Sequence, residues 1–146
     1  MNYSDDCVML IKESEGFRSH PYRDSAGFGT VGYGHKVLPG EDFADGVTID
    51  EAEKILTEDM DQALRGVKSL VKVSLTQGQV DALVDFVFNE GAGRLATSTL
   101  LRKLNAGYVN EVPAELARWN LAGGKVLPGL VIRRQKEIEL WGKEIQ

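Results

Sequence analysis

Between residues 17 and 47 the chain changes its pattern, and this change limits the folds open to it. Phe17, Tyr22, Phe28, Val31 and Tyr33 are interleaved with Gly27, Gly29, Gly32 and Gly34. Aromatics spaced by glycine read as short strands with tight turns, hence a small sheet. Glycine at strand positions costs stability and marks close backbone approach, by a turn or by a ligand. The sequence on either side is helical in pattern. An α+β fold is expected, mostly helical, with a small N-terminal sheet lobe facing a helical C-terminal lobe across a cleft.

The helical signals are local and chemical. Ser4 can cap a first helix, with Asp5 and Asp6 at the positive end of its dipole and Gly16 as its stop, which places Glu15 in the last turn. Thr48-Ile49-Asp50-Glu51 is a capping box. It opens a helix with Ala52, Ile55, Leu56, Ala63, Leu64, Val67 and Leu70 on one face, long enough to bridge two lobes. Thr76-Gln77-Gly78-Gln79 is a second box, and VDALVDFVF after it is apolar on nearly every side except at Asp81 and Asp85, as suits a central helix. Ser98 can cap LLRKLNAG, with Gly107 as the stop. A helix around Val112 to Trp119 follows, then a loop at Gly123-Gly124, and Pro128 suits the first position of a last helix ending near Trp141. The peptide KVLPG occurs at 36–40 and 125–129, and its differing surroundings make it a reused turn rather than a duplicated unit.

Length and composition bound the rest. A chain of 146 residues is expected to form one domain, 1–146, with the sheet lobe at about 17–47, a joining helix at about 49–70 and the helical lobe at about 71–146. The single Cys7 has no partner for an internal disulfide and reads as a small core residue. Neither a membrane-spanning run nor a signal peptide is visible. The net charge of −5 argues against nucleic acid as a partner. That charge is uneven. From Glu41 to Asp61 nine acids face one base, and from Arg94 to Lys136 eight bases face two acids. A basic C-terminal half can meet an anionic polymer, and equally it can be solvated helix faces.

Glu15, Asp24 and Thr30 fall in one stretch, ESEGFRSHPYRDSAGFGTVGYGH. Two carboxyls flanking a cleft are what acid-catalysed glycoside cleavage needs. The departing oxygen requires a proton from a carboxylic acid. For Glu15, the negative end of a helix dipole and burial against Phe17, Tyr22 or Tyr33 would disfavour the carboxylate. Asp24 would act on the far side of the bond, and the Thr30 hydroxyl beside it can fix a water. This arrangement points to inversion, with carboxyls about 6.5–9.5 Å apart. Singly, each residue has a plainer reading: a helix-end Glu, an Asx turn at Asp24-Ser25-Ala26-Gly27, a strand Thr.

The spacing of Glu15, Asp24 and Thr30 resembles the catalytic motif of phage-type lysozymes, the endolysins of glycoside hydrolase family 24. Thr30-Val31-Gly32-Tyr33-Gly34-His35 is similar to that family's glycine turn. LTQGQVDALVDFVFNEG (75–91), STLLRKLNAG (98–107) and RWNLAGGKVLPGLVIRR (118–134) resemble its central helix and C-terminal lobe. The resemblance implies hydrolysis of the β-1,4 bond between N-acetylmuramic acid and N-acetylglucosamine in peptidoglycan. It implies Glu15 as proton donor and Asp24 and Thr30 as handlers of water. It implies Phe88, Asn89 and Thr99 along the sugar groove, although Phe88 and Thr99 serve equally as core and cap residues. It implies a structural pairing for His35, no cofactor, a monomer, and a protein that waits in the host cytoplasm for a holin to open the membrane. Two rival readings stand beside it: a lytic transglycosylase on the same glycan, which needs one acid and no water-positioning pair, and a non-catalytic peptidoglycan-binding module.

Other candidates carry less. With His20 and His35 the only histidines, a His-rich metal site is excluded. Glu41-Asp42-Phe43-Ala44-Asp45-Gly46 looks like a calcium loop but puts Phe43 and Ala52 where ligands belong. Arg118-Trp119 can stack on sugars or pack in the core. Arg133, Arg134 and Lys136 are expected, from charge alone, to meet anionic cell-wall or lipid phosphates.

Overall fold

The computed structural model describes residues 1–24 and 27–143. The order is α1 (Asp5–Glu15), β1 (Arg18–Arg23), β2 (Gly29–Gly32), β3 (His35–Lys36), α2 (Ile49–Leu70), α3 (Gln77–Glu90), α4 (Ala92–Ala96), α5 (Thr99–Asn105), α6 (Val112–Ala117), β4 (Leu121–Ala122), β5 (Lys125–Val126) and α7 (Pro128–Trp141). The fold is α+β. Strands β1, β2 and β3 form an antiparallel sheet in that order.

The helix starts follow the expected chemistry with one exception. Thr48 and Thr76 each close a full capping box, with Glu51 and Gln79 as the reciprocal partners. Ser98 caps α5 through the Leu101 N–H. Ser4 stands at the start of α1 but makes no side-chain cap. Its hydroxyl and its N–H both donate to the buried Asp81 carboxylate of α3. A tertiary partner of full charge outcompetes the local cap and ties α1 to α3.

Two hydrophobic clusters divide the interior. The larger joins α1 (Cys7, Ile11), α2 (Leu56, Met60, Ala63, Leu64, Val67), α3 (Val80, Leu83, Phe86), α5, α6 and Trp141. The smaller is Val31, Val47 and Ala52, flanked by Phe17, Tyr33, Val37, Phe43 and Ile55. α2 serves both, its first turn in the small cluster and the remainder in the large one. α3 is the central helix, buried from Gly78 and Val80 through Val87, Asp81 and Asp85 included. At Gly78 an added Cβ would lie 1.9 Å from the Leu140 carbonyl oxygen, so α3 and α7 pack with no side chain between them. The expected loop at Gly123-Gly124 is the two-residue turn of a β4–β5 hairpin. Both glycines have positive φ (58° and 78°), the geometry whose twist matches that of paired strands.

Candidate active site

Glu15 is the last residue of α1, and Gly16, at φ 68°, turns the chain out of the helix with its N–H on the Lys12 carbonyl. The side chain is 20% exposed. It rests on the backbone of Gly34, where a Cβ would come within 2.7 Å of its Cγ, Cδ and Oε1. That close approach is why this turn position tolerates no side chain. Gly34 also has φ 77°, so the requirement is doubled.

Glu15 Oε2 accepts a hydrogen bond of 2.6 Å from Arg133 Nη1 on α7. The other edge of the same guanidinium grips Asp85, with Nη2–Oδ1 at 2.8 Å and Nε–Oδ2 at 3.0 Å. Burial opposes ionisation of Asp85, but Arg133, with Glu137 and Arg134, offsets it and holds the carboxyl below its usual range. These contacts correct the expectation that Arg133 and Arg134 meet external phosphates. Their exposures are 5% and 1%, and Arg134 donates to the Asn89 side-chain oxygen. Lys136 pairs with Glu13 at 3.1 Å. Much of the positive charge counted in the C-terminal half is therefore spent inside the protein or on neighbouring acids, Lys103 with Glu111 and Glu115 among them. Arg94 and Arg118 stay exposed.

Asp24 and Thr30 meet at Phe28. The Asp24 carboxylate accepts the Phe28 N–H at 2.9 Å, and the Thr30 hydroxyl donates to the Phe28 carbonyl at 3.0 Å. Ser25 and Ala26 of the expected Asx turn lie outside the described residues. Thr30 is 2% exposed, and because its hydrogen is used on Phe28 it faces other molecules as an acceptor. Tyr22 stands opposite Thr30 in the β1–β2 register. Its phenol is pushed up by burial, then by the negative charges of Glu15 and Asp24, with Arg18 acting the other way.

A cleft of about 320 Å³ lies between the β2–β3 turn and the helices, lined by Gly34, Lys36 and Leu38 on one side and Gln62, Phe88 and Asn89 on the other. A neighbouring cavity of about 360 Å³ contains Thr99 with Glu90, Arg94, Arg118 and Trp119. Glu90 lines both. Phe88 is half-buried, packed on the large core while facing the cleft. Thr99 is the first residue of α5, and the cap is Ser98. Trp119 packs on the core, edge-on to Phe86 at 5.1 Å, and also lines the cavity.

His35 is clamped from both nitrogens, Nδ1 to Asp59 of α2 at 2.8 Å and Nε2 to Glu41 at 2.9 Å. The Asp59 bond, aided by Glu41 and opposed by burial, raises it to about 9. The ring is a cation at neutral pH. Glu41, the first residue of the supposed calcium loop, is occupied by this clamp and by the Leu38 N–H.

Sequence reasoning missed Arg133, Asp85 and the exact job of Gly34. The available signal was Asp85 itself: a carboxylate in the middle of an apolar helix requires a buried cation, and α7 carried two adjacent arginines.

The chain as a whole is similar to known proteins. The chain is 43% identical over 145 residues to an endolysin of Bacillus phage B103, covering 97% of this chain and 54% of that one. It therefore spans about half the length of that relative. It is 41% identical to an endolysin of Acyrthosiphon pisum secondary endosymbiont phage 1, covering 97% and 98% of the two chains. The muramidase domain of SpmX from Asticaccaulis excentricus superposes with a TM-score of 0.86 at 34% identity, over 98% of this chain and 99% of that one. The profile of the family described as Phage lysozyme matches residues 12–137, a span that includes Glu15, Asp24, Thr30 and Arg133. The chain belongs to the phage lysozyme family.

Proposed function

We propose that the chain is an endolysin, a glycoside hydrolase that cuts the β-1,4 bond between N-acetylmuramic acid and N-acetylglucosamine in bacterial peptidoglycan. The observation that carries this reading is the placement of Glu15. It abuts Gly34, which lines the cleft, and its charge acts with that of Asp24 on the Tyr22 phenol.

Glu15 gives its proton to the glycosidic oxygen as the bond to the anomeric carbon breaks. A water attacks that carbon from the opposite face. The Thr30 oxygen accepts one hydrogen bond from this water, and the Asp24 carboxylate takes its proton. The sugar inverts, and no cofactor takes part. Phe88 and Asn89 support the glycan along the cleft, and Thr99 extends the surface towards Trp119. The domain is single, 1–146, with a sheet lobe at about 17–47 and a helical lobe at about 71–146 joined by the helix at about 49–70. It works as a monomer. No helix among the described residues is long and apolar enough to cross a membrane. Access to the wall from the host cytoplasm would depend on a holin.

The test is turbidity loss and product analysis on purified peptidoglycan. Glu15→Gln is expected to lose turnover while keeping its fold and its binding to the wall. Full activity in that variant would remove Glu15 from its role. Reducing ends of inverted configuration are expected in the first products, whereas anhydro-muramic ends would make the enzyme a transglycosylase.

A further inference from the structure

Arg134 is a buried cation that the mechanism leaves without a part. It lies on α7 and is 1% exposed. Its guanidinium carbon stands over the Phe86 ring, 5.2 Å from the centroid. Its Nε lies 3.0 Å from Glu137 Oε1, which supplies the opposite charge. Among the described residues its one hydrogen bond runs from Nη2 to the side-chain oxygen of Asn89, in the last turn of α3. A guanidinium has only donors to offer. Asn89 must therefore turn its oxygen to the arginine, because the reversed amide would set N–H against N–H beside a buried charge. The consequence falls on the other side of the amide. Asn89 lines the cleft. Its Nδ2 makes no hydrogen bond among the described residues, and it is not sealed from solvent.

We propose that Arg134 is a positioning residue that fixes Asn89 as a pure hydrogen-bond donor to the cleft, and that this donor reads the acetamido carbonyl of the glycan. The proposal rests on the reading of the cleft as the glycan site. A fixed donor selects among sugar substituents by what they can accept. Hydroxyls both donate and accept, so they meet either face of an amide equally well. An acetamido group presents a carbonyl oxygen, a strong acceptor. The amino group of an N-deacetylated sugar is largely an ammonium at neutral pH, and an ammonium only donates. Placed before Asn89 Nδ2, it leaves two donors facing each other. A site built to hydrogen-bond one substrate group rejects the analogue that cannot answer it, because its own polar group is then left unpaired. An unanchored amide would escape this by rotating its oxygen outward. Arg134 removes that option.

The experiment measures kcat and KM of wild type, Asn89→Asp and Arg134→Met on one solubilised peptidoglycan before and after enzymatic N-deacetylation, with thermal melts of each protein. Wild type is expected to lose roughly tenfold in kcat/KM on the deacetylated glycan. Asn89→Asp keeps an oxygen on Arg134 and turns a second oxygen to the cleft, so its preference is expected to reverse. Any effect of the new charge on Glu15 bears on both glycans alike and cancels in the ratio. Arg134→Met frees the amide to rotate and is expected to bring the two glycans within about threefold of each other. Should the Met variant not fold, the Asp variant decides the matter. An Asp variant that keeps the wild-type preference would overturn the proposal, and so would a folded Met variant that keeps it. A wild type that is active but indifferent to acetylation would sink the proposal alone. A wild type inactive on both glycans would refute the hydrolase reading itself, and this proposal with it.

Discussion

At Gly34 two demands meet in one residue. The left-handed backbone costs an L-residue roughly 1–2 kcal/mol, and the missing side chain makes room for Glu15. Gly34→Ala is therefore expected to destabilise by about that amount and also to push the Glu15 carboxyl off its place. A displacement near 1 Å can cost about a hundredfold in rate. The check is kcat on peptidoglycan beside a denaturant melt; a variant with the stability loss but wild-type kcat would show that the contact does not set the Glu15 position. The pattern of glycines announced close approach in this turn, but a spacing of residues cannot say what approaches. Arg133 lies 118 positions from Glu15 in sequence, and nothing local links them.

The helices were legible where the signal is short-range. The two capping boxes form as their residues prescribe, because both partners sit within one turn. Ser4 departs from the same rule because Asp81 reaches it from another helix. The β4–β5 hairpin was missed because strands of two residues have no periodicity to read. Contacts between elements yield two further predictions. The His35 clamp joins β3, the following loop and α2. Its folded-state value of about 9 exceeds the ordinary value of 6.5. The clamp's contribution is thus complete below about pH 6.5 and is lost as pH rises through about 9. His35→Gln is expected to lower stability at pH 6 by about 1.5 kcal/mol and to flatten the decline towards pH 9. Melting curves across that range check it, and an unchanged slope would exclude the clamp as its source. Gly78→Ala is expected to force α3 away from the Leu140 carbonyl and cost about 3 kcal/mol or more, since backbone cannot yield as a side chain does. A loss of under 1 kcal/mol in urea unfolding would contradict that packing.

For the molecule as a whole, the ionic cluster links α1, α3 and α7 through Arg133. Removing one member of a buried pair costs about 3–5 kcal/mol. Asp85→Asn is expected to lower the melting temperature by roughly 6–20 °C, and a smaller change would mean that water replaces the lost charge. The dual membership of α2 reaches further. Three buried residues hold the small cluster, and Ala52 among them comes from α2 rather than from the sheet. The sheet side of the cleft cannot keep its interior without that borrowed turn. In native-state hydrogen exchange, the amides of Val31 and His35 should become deuterated through partial openings, while those around Phe86 should wait for complete unfolding. A sugar chain in the groove would then touch one wall that breathes and one that stands still.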